Sequence, residues 1–300
     1  MGSGHSHSHS AAGTHRWRLQ LAFGLTATFF VVELVFGIIS QSLALISDAG
    51  HMAADVVALG AALVATSIAG RKDTTGRRTY GSYRAEVFAS GIAVLLMIGV
   101  SIYIAVEAIG RIGEQVEPTS STMLWVGALG LVINVISLSL LRSGASDSLN
   151  IKGAYLEVFA DALGSVGVIV AGIMVGWTGN AWWDTGIALA IAIFVFFRAV
   201  VLGREVLTVL GQHAPADLKA DEVTNALAAV PGVKDVHDLH VWTLTSGMNV
   251  ATAHLMTGSD VDGHDVLDRA REVMKTQFGV EHATLQVEPD THKGCQEVAW

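Results

Sequence analysis

The sequence predicts a membrane protein in two parts: an all-α transmembrane domain of six helices, then a small α+β domain in the order α-β-β-α-β (ferredoxin-like). Three observations carry this. The chain is 51% hydrophobic and only 15% charged, with a mean hydropathy of +0.50, far from an ordinary soluble domain. Its apolar residues fall in runs of about 20, the length a helix needs to cross a bilayer. From about Gly211 onward the composition becomes that of a soluble domain, with helical and strand periodicities in turn.

Residues 1–14 are small and polar, with His5, His7 and His9 alternating with Ser, and read as a disordered His-rich tail of a composition that captures metal weakly. They lack a signal-peptide pattern, so the first helix is expected to insert as an anchor. The membrane domain is drawn over residues 15–208. Its spans run from about Trp17 to Ile39, Leu43 to Gly70, Glu86 to Ile109, Met123 to Leu141, Gly153 to Val175 and Trp182 to Val201. Basic residues set the orientation. Arg16 and Arg18 precede the first span, and Arg71, Lys72, Arg77, Arg78 and Arg84 fill the second loop. Arg142 and Lys152 flank the fourth loop, and Arg198 and Arg204 mark the end of the sixth span. The first and fifth loops have no Lys or Arg, which places both termini in the cytoplasm.

The second domain is drawn over residues 209–290, with a tail over 291–300. Leu218, Val223 and Leu227 give Ala216 to Val230 a helical period that Pro231-Gly232 ends. Val233 to Leu244 and Asn249 to Met256 read as strands around a Ser246-Gly247 turn. Asp262 to Phe278 is an amphipathic helix, and His282 to Glu288 a last short strand.

The candidate site lies inside the membrane. His51 and Asp55 are four apart on the second span and Glu157 and Asp161 four apart on the fifth, so each pair shares one helix face. Ionisable groups in hydrocarbon are costly and mark an ion or substrate path. No Lys or Arg lies in the central stretch of either segment, so three carboxylates and an imidazole call for a cation, read as a divalent metal. Asp55 falls about 18 Å and Asp161 about 24 Å from the outer helix ends, at 1.5 Å per residue, so the antiparallel pairs can meet near mid-membrane. The structural alternative is a set of interhelical hydrogen bonds between protonated carboxyls. Asp48 and Ser47 are expected to support the ligands, and Glu33 and Asn134 to line the path or bond to neighbouring helices. Asp184, beside Trp182 and Trp183, is read as interfacial.

Other classes recede. Net charge −9 and a pI near 5.7 argue against a nucleic-acid partner. One cysteine, Cys295, excludes an internal disulfide framework and a cysteine-based zinc finger. No His-Glu-x-x-His or clustered His boxes occur, so an enzyme is not expected.

The run from Glu33 through Ser42-Leu43-Ala44-Leu45-Ile46-Ser47-Asp48-Ala49-Gly50-His51 to Asp55 resembles the second-helix signature of the cation diffusion facilitator family of metal transporters. So do Tyr80-Gly81-Ser82-Tyr83-Arg84-Ala85-Glu86, Gly153-Ala154-Tyr155 through Asp161-Ala162-Leu163-Gly164-Ser165, Val236-His237-Asp238-Leu239-His240-Val241-Trp242, and the closing His282 to Glu288. The resemblance covers nearly all the chain after the tail. It implies a metallochaperone-like cytoplasmic domain, a homodimer formed through it, and export of Zn²⁺ or a related divalent ion (Cd²⁺, Mn²⁺, Fe²⁺ or Co²⁺) against protons. The transport ligands it implies are His51, Asp55, Glu157 and Asp161. Glu157 stands where the family usually holds His or Asp, giving a harder, more anionic site that shifts preference toward oxygen-seeking ions such as Mn²⁺ without excluding Zn²⁺. The second loop carries Asp73 and no His, so the further metal site of some relatives is not expected there. Resemblance and strand alternation together pick out His237, His254, His264, His282 and Glu288 as a second cluster for one or two Zn²⁺, the alternative being surface histidines without ligand duty, with His240 read as packing. By analogy the chain belongs in a bacterial inner membrane.

The mechanism expected is one of linkage. Metal ligands must be deprotonated, so metal and protons compete for one site. The alternative is a membrane-anchored metal sensor that moves no ions. Asp55→Ala separates the two, because the sensor predicts unaltered metal flux.

Overall fold

In a computed structural model the chain is described over residues 16–69, 78–112, 116–142, 149–245 and 247–291. Six apolar helices come first: α1 (Arg16–Ile39), α2 (Leu43–Ala69), α3 (Ala85–Gly110), α4 (Ser120–Arg142), α5 (Leu149–Thr178) and α6 (Trp182–Leu210). Among the described residues, Ala85–Gly110, Ser120–Ser139, Val158–Thr178 and Trp182–Leu210 are each long and apolar enough to cross a membrane. Many large apolar side chains face outward, including Phe88, Leu95, Trp125, Trp177 and Phe197. That is how a bundle solvated by lipid differs from a soluble one.

The interior of the bundle is built from Phe29, Leu43, Leu45, Met52, Ile104, Met123 and Val168. Helix α1 packs along α2 and α4 along α5, while α2 meets α5 across the bundle. Small residues set the closest approaches. A Cβ on Gly164 of α5 would lie 2.5 Å from Asp48 Oδ1 of α2, so only glycine lets these two helices come so near.

Among the described residues, the second compact unit comprises residues 82–87 and 204–291. It contains α7 (Ala220–Ala228), β1 (Val233–Thr245), β2 (Met248–Thr257), α8 (Gly263–Phe278) and β3 (His282–Pro289). The order α-β-β-α-β is the one the sequence predicts. Helix α7 starts later than its periodicity indicates, because Lys219 is extended at φ −93°, ψ 128°. Leu218 stays buried all the same. The sheet order is β1-β2-β3, antiparallel between β1 and β2 and parallel between β2 and β3, with α8 as the crossover. Asp262 caps α8 by accepting from His264 N at 2.9 Å, and Gly279 ends it in the left-handed conformation at φ 64°. Val223, Leu227, Val266, Ala270 and Met274 of the helices pack on Ala251, Ala253 and Leu255 of β2. With a period of two along each strand, the other face is left to His237, His254 and Glu288.

Candidate metal centre

The first turn of α2 fixes where its ligands stand. Ser42 caps the helix, its Oγ accepting from Leu45 N at 3.2 Å and donating to Asp184 Oδ1 at 2.6 Å. Asp184 of α6 also accepts from Leu43 N (2.7 Å) and Ala44 N (3.1 Å), and Arg111 Nη1 stands 3.6 Å from its Oδ2. Arg111 donates as well to Gln41 O at 2.9 Å, holding the α1–α2 turn where Gln41 takes φ 55°. Asp184, beside two tryptophans at the start of α6, is thus a fully buried cap on the helix that carries His51. A carboxylate belongs there, because the first-turn N–H groups and the helix dipole both favour negative charge.

His51 lies two turns along α2, with a side chain 4% exposed. Its Nε2 is 3.0 Å from Asp161 Oδ1 on α5 and 3.9 Å from Asp55 Oδ2 on its own helix. One ligand atom from each of the three residues falls within 4.8 Å of the others, a spacing that one metal ion can span. The two carboxylates are about a fifth exposed, at 18% and 20%, so the group is not sealed. Glu157 sits four residues before Asp161 on α5, and its side chain lies outside the described residues.

The surrounding polar residues divide into ties and facing groups. Ser47 donates to Ala188 O of α6 at 3.2 Å, and Asn134 of α4 donates to Ser165 Oγ of α5 at 3.3 Å. These are interhelical hydrogen bonds of the ordinary kind. Glu33 of α1 and Asp48 of α2 are both buried, and neither Glu33 oxygen meets an N–H or O–H donor among the described residues.

One participant went unread in the sequence. Arg198, whose place near the end of the sixth span predicts a topogenic charge, turns into the site, its Nη1 2.9 Å from His51 Nε2. The cluster therefore has a basic neighbour after all, from a third helix. The signal was available: an arginine amid Phe194, Phe196 and Phe197 is an intramembrane charge, and such charges default to function.

The second group lies on the open face of the sheet. His237 and His254 are register partners on β1 and β2, with ring centroids 5.3 Å apart. His254 Nδ1 is 3.2 Å from Glu288 Oε1 of β3, which also accepts from Gln286 Nε2. Ligand atoms of His237, His254 and Glu288 again fall within 4.8 Å of one another. His237 Nε2 and Glu288 Oε2 are buried without a hydrogen-bond partner among the described residues. An orphaned imidazole nitrogen and an orphaned carboxylate oxygen beside a His254 nitrogen fit a cation such as Zn²⁺. A bulge between His237 and His240 puts Asp238 at φ 54° and aims it at the cluster, its Oδ2 3.8 Å from His254 Nε2. His240 is not packing: it is half exposed, at 48%, and its Nε2 lies 3.0 Å from Asp238 Oδ1. His264 and His282 are exposed and do not join the cluster, His264 lying at the start of α8 and His282 at the opposite end of β3 from Glu288. His5, His7, His9, Asp73 and Cys295 lie outside the described residues.

Comparison with known proteins gives the family. The family described as the cation efflux transmembrane domain matches residues 19–210, and that described as the cation efflux protein cytoplasmic domain matches residues 215–290. The chain belongs to the cation diffusion facilitator family and is an integral membrane protein. It is 44% identical over 289 residues (96% of this chain, 90% of the relative) to the metal cation efflux system protein CzcD of Cupriavidus metallidurans. It is 34% identical over 300 residues to the zinc transporter ZitB of Escherichia coli, covering 96% of this chain and 95% of that one. A cadmium, cobalt and zinc/H⁺–K⁺ antiporter of Bacillus subtilis is 31% identical over 294 residues, with 96% and 93% covered.

Proposed function

We propose that this protein exports divalent metal ions from the cytoplasm, Zn²⁺ foremost, in exchange for protons by alternating access. The observation that carries this is His51 Nε2 standing beside carboxylates of two helices, Asp161 at 3.0 Å and Asp55 at 3.9 Å. Glu157, on the same face of α5 as Asp161, is the fourth ligand. Three carboxylates and one imidazole suit Zn²⁺ and accept Cd²⁺, Mn²⁺, Fe²⁺ or Co²⁺.

Each ligand binds either a metal or a proton, so a site open to the more alkaline cytoplasm loads metal. Opened to a more acidic exterior, the same ligands take protons and let the ion go. A carrier that does not reorient with an empty, fully ionised site converts this competition into antiport. The cluster of His237, His254 and Glu288 is a regulatory Zn²⁺ site, and the domain that bears it joins two copies of the chain. The names of the relatives support the metal class and their bacterial sources an inner-membrane location, and the basic residues of the loops support cytoplasmic termini.

Proteoliposomes offered Zn²⁺, Cd²⁺, Mn²⁺, Fe²⁺ and Co²⁺ separately test the proposal. Uptake is expected for Zn²⁺, lost in Asp55→Ala, with Glu157→His narrowing the range toward Zn²⁺. Flux unchanged in Asp55→Ala would leave the metal-sensor reading standing.

A further inference from the structure

Helices α2 and α6 run side by side in the same direction. Leu43 bonds to Asp184, Ser47 to Ala188, and Ala54 packs with Val195 and Ala199. By this pairing the Cα of Arg198 lies below His51, nearer the level of Asp55. Helical side chains lean toward the N-terminus of their helix, so the guanidinium reaches back up α6 to Nη1–Nε2 contact at 2.9 Å. The nitrogen it meets is the one that faces Asp161 and Asp55, while Nδ1 points away into a buried spot without a hydrogen-bond partner among the described residues.

An imidazole nitrogen has one lone pair. In the tautomer that carries its proton on Nδ1, His51 accepts from Arg198 at Nε2 and that lone pair cannot bind a metal; once a metal is bound there at about 2.0–2.1 Å, the guanidinium has lost this acceptor and faces a divalent charge. Arginine is charged at every physiological pH, so this cation is always present. We propose that Arg198 is a tethered competitor for the transport site. Its guanidinium holds the Nε2 lone pair of His51 when no metal is bound and yields it when metal enters. The guanidinium already lies over the ring of Phe194, one turn back on α6, with Cζ 5.9 Å from its centroid, a contact it can keep when it gives up Nε2. Arg198 thereby sets affinity from a position where it is not a ligand. It weakens metal binding and hastens release, and it keeps part of the carboxylate charge balanced as the empty carrier returns.

The inference rests on the transport-site reading, and one set of measurements separates the two. Zn²⁺ is titrated calorimetrically into the full-length protein in detergent, in a His237→Ala/His254→Ala background that silences the sheet cluster. The parent should show a Zn²⁺ site that Asp161→Ala abolishes. Arg198→Gln, which keeps a hydrogen-bonding amide and removes the charge, should bind at that site at least tenfold tighter and release Zn²⁺ more slowly. A purely structural arginine predicts weaker binding instead, so equal or weaker binding in a folded Arg198→Gln overturns the inference alone. Absence of any Zn²⁺ site sensitive to Asp161→Ala overturns both readings. A measurement on the unsubstituted chain needs no folded variant. Phenylglyoxal should modify Arg198, read by mass spectrometry, faster at saturating Zn²⁺ than in chelator. An equal or slower rate with Zn²⁺ contradicts displacement.

Discussion

Replacing Asp184 by Ala removes the acceptor for two backbone N–H groups, those of Leu43 and Ala44, at residues with no exposure to solvent. Leaving a buried donor unsatisfied costs about 1–3 kcal/mol each, and the lost charge at the helix start adds about 0.3–1 kcal/mol. The expected loss is therefore about 2–7 kcal/mol. Asp184→Asn keeps one carbonyl oxygen and should lose roughly half as much. At about 2–4 °C per kcal/mol, the alanine variant should unfold about 5–25 °C below the parent, with asparagine between them. Intrinsic fluorescence during heating in detergent is a suitable assay, because Trp182 and Trp183 immediately precede the substituted residue. Since the same turn sets the height of His51, Zn²⁺ affinity should fall in step. A midpoint within about 2 °C of the parent in Asp184→Ala would refute the reasoning, since the first turn of α2 would then have no need of the carboxylate.

Gly164→Ala puts a methyl group 2.5 Å from Asp48 Oδ1 between α2 and α5. Overpacking of this kind costs about 1–3 kcal/mol, so lower thermal stability and reduced Zn²⁺ flux in proteoliposomes are expected. His254→Ala should lower the number of Zn²⁺ ions retained per chain after gel filtration, while His264→Ala and His282→Ala, which lie outside the sheet cluster, should leave that number unchanged. Metal retention at the sheet cluster should decline as pH falls, because protons compete for both imidazoles and the carboxylate while the metal needs them unprotonated; titration at a series of pH values checks the sign.

The elements were legible where pattern and structure share a cause. Six apolar runs became six helices because the backbone in lipid must bond within its own segment. Helix α8 was readable from both ends, with Asp262 as cap and Gly279 as stop. The pairs His51/Asp55 and Glu157/Asp161 were visible because each belongs to one helix and its period. Contacts between helices had no such signature. The α2–α6 alignment alone brings Asp184 to the first turn of α2 and Arg198 to His51, and neither residue carries its partner in its own neighbourhood of sequence. Helix α6 also continues to Leu210, past the Val201 at which its apolar run was drawn to end, because Arg204 and Glu205 are good helix formers whatever their solvent. In the sheet, strand alternation put His237, His254 and Glu288 on one face, but period alone says nothing of distance along a strand, and His282 shares that face at the wrong end.

The central claim is that His51, Asp55 and Asp161 hold one ion together. Zinc-edge X-ray absorption on the full-length His237→Ala/His254→Ala chain, loaded with one equivalent of Zn²⁺ in lipid nanodiscs, reads that ligand shell directly. The account predicts a single imidazole with carboxylate oxygens and no sulfur, and loss of the bound ion in Asp161→Ala. A shell of several imidazoles, or a spectrum that Asp161→Ala leaves unchanged, would contradict it.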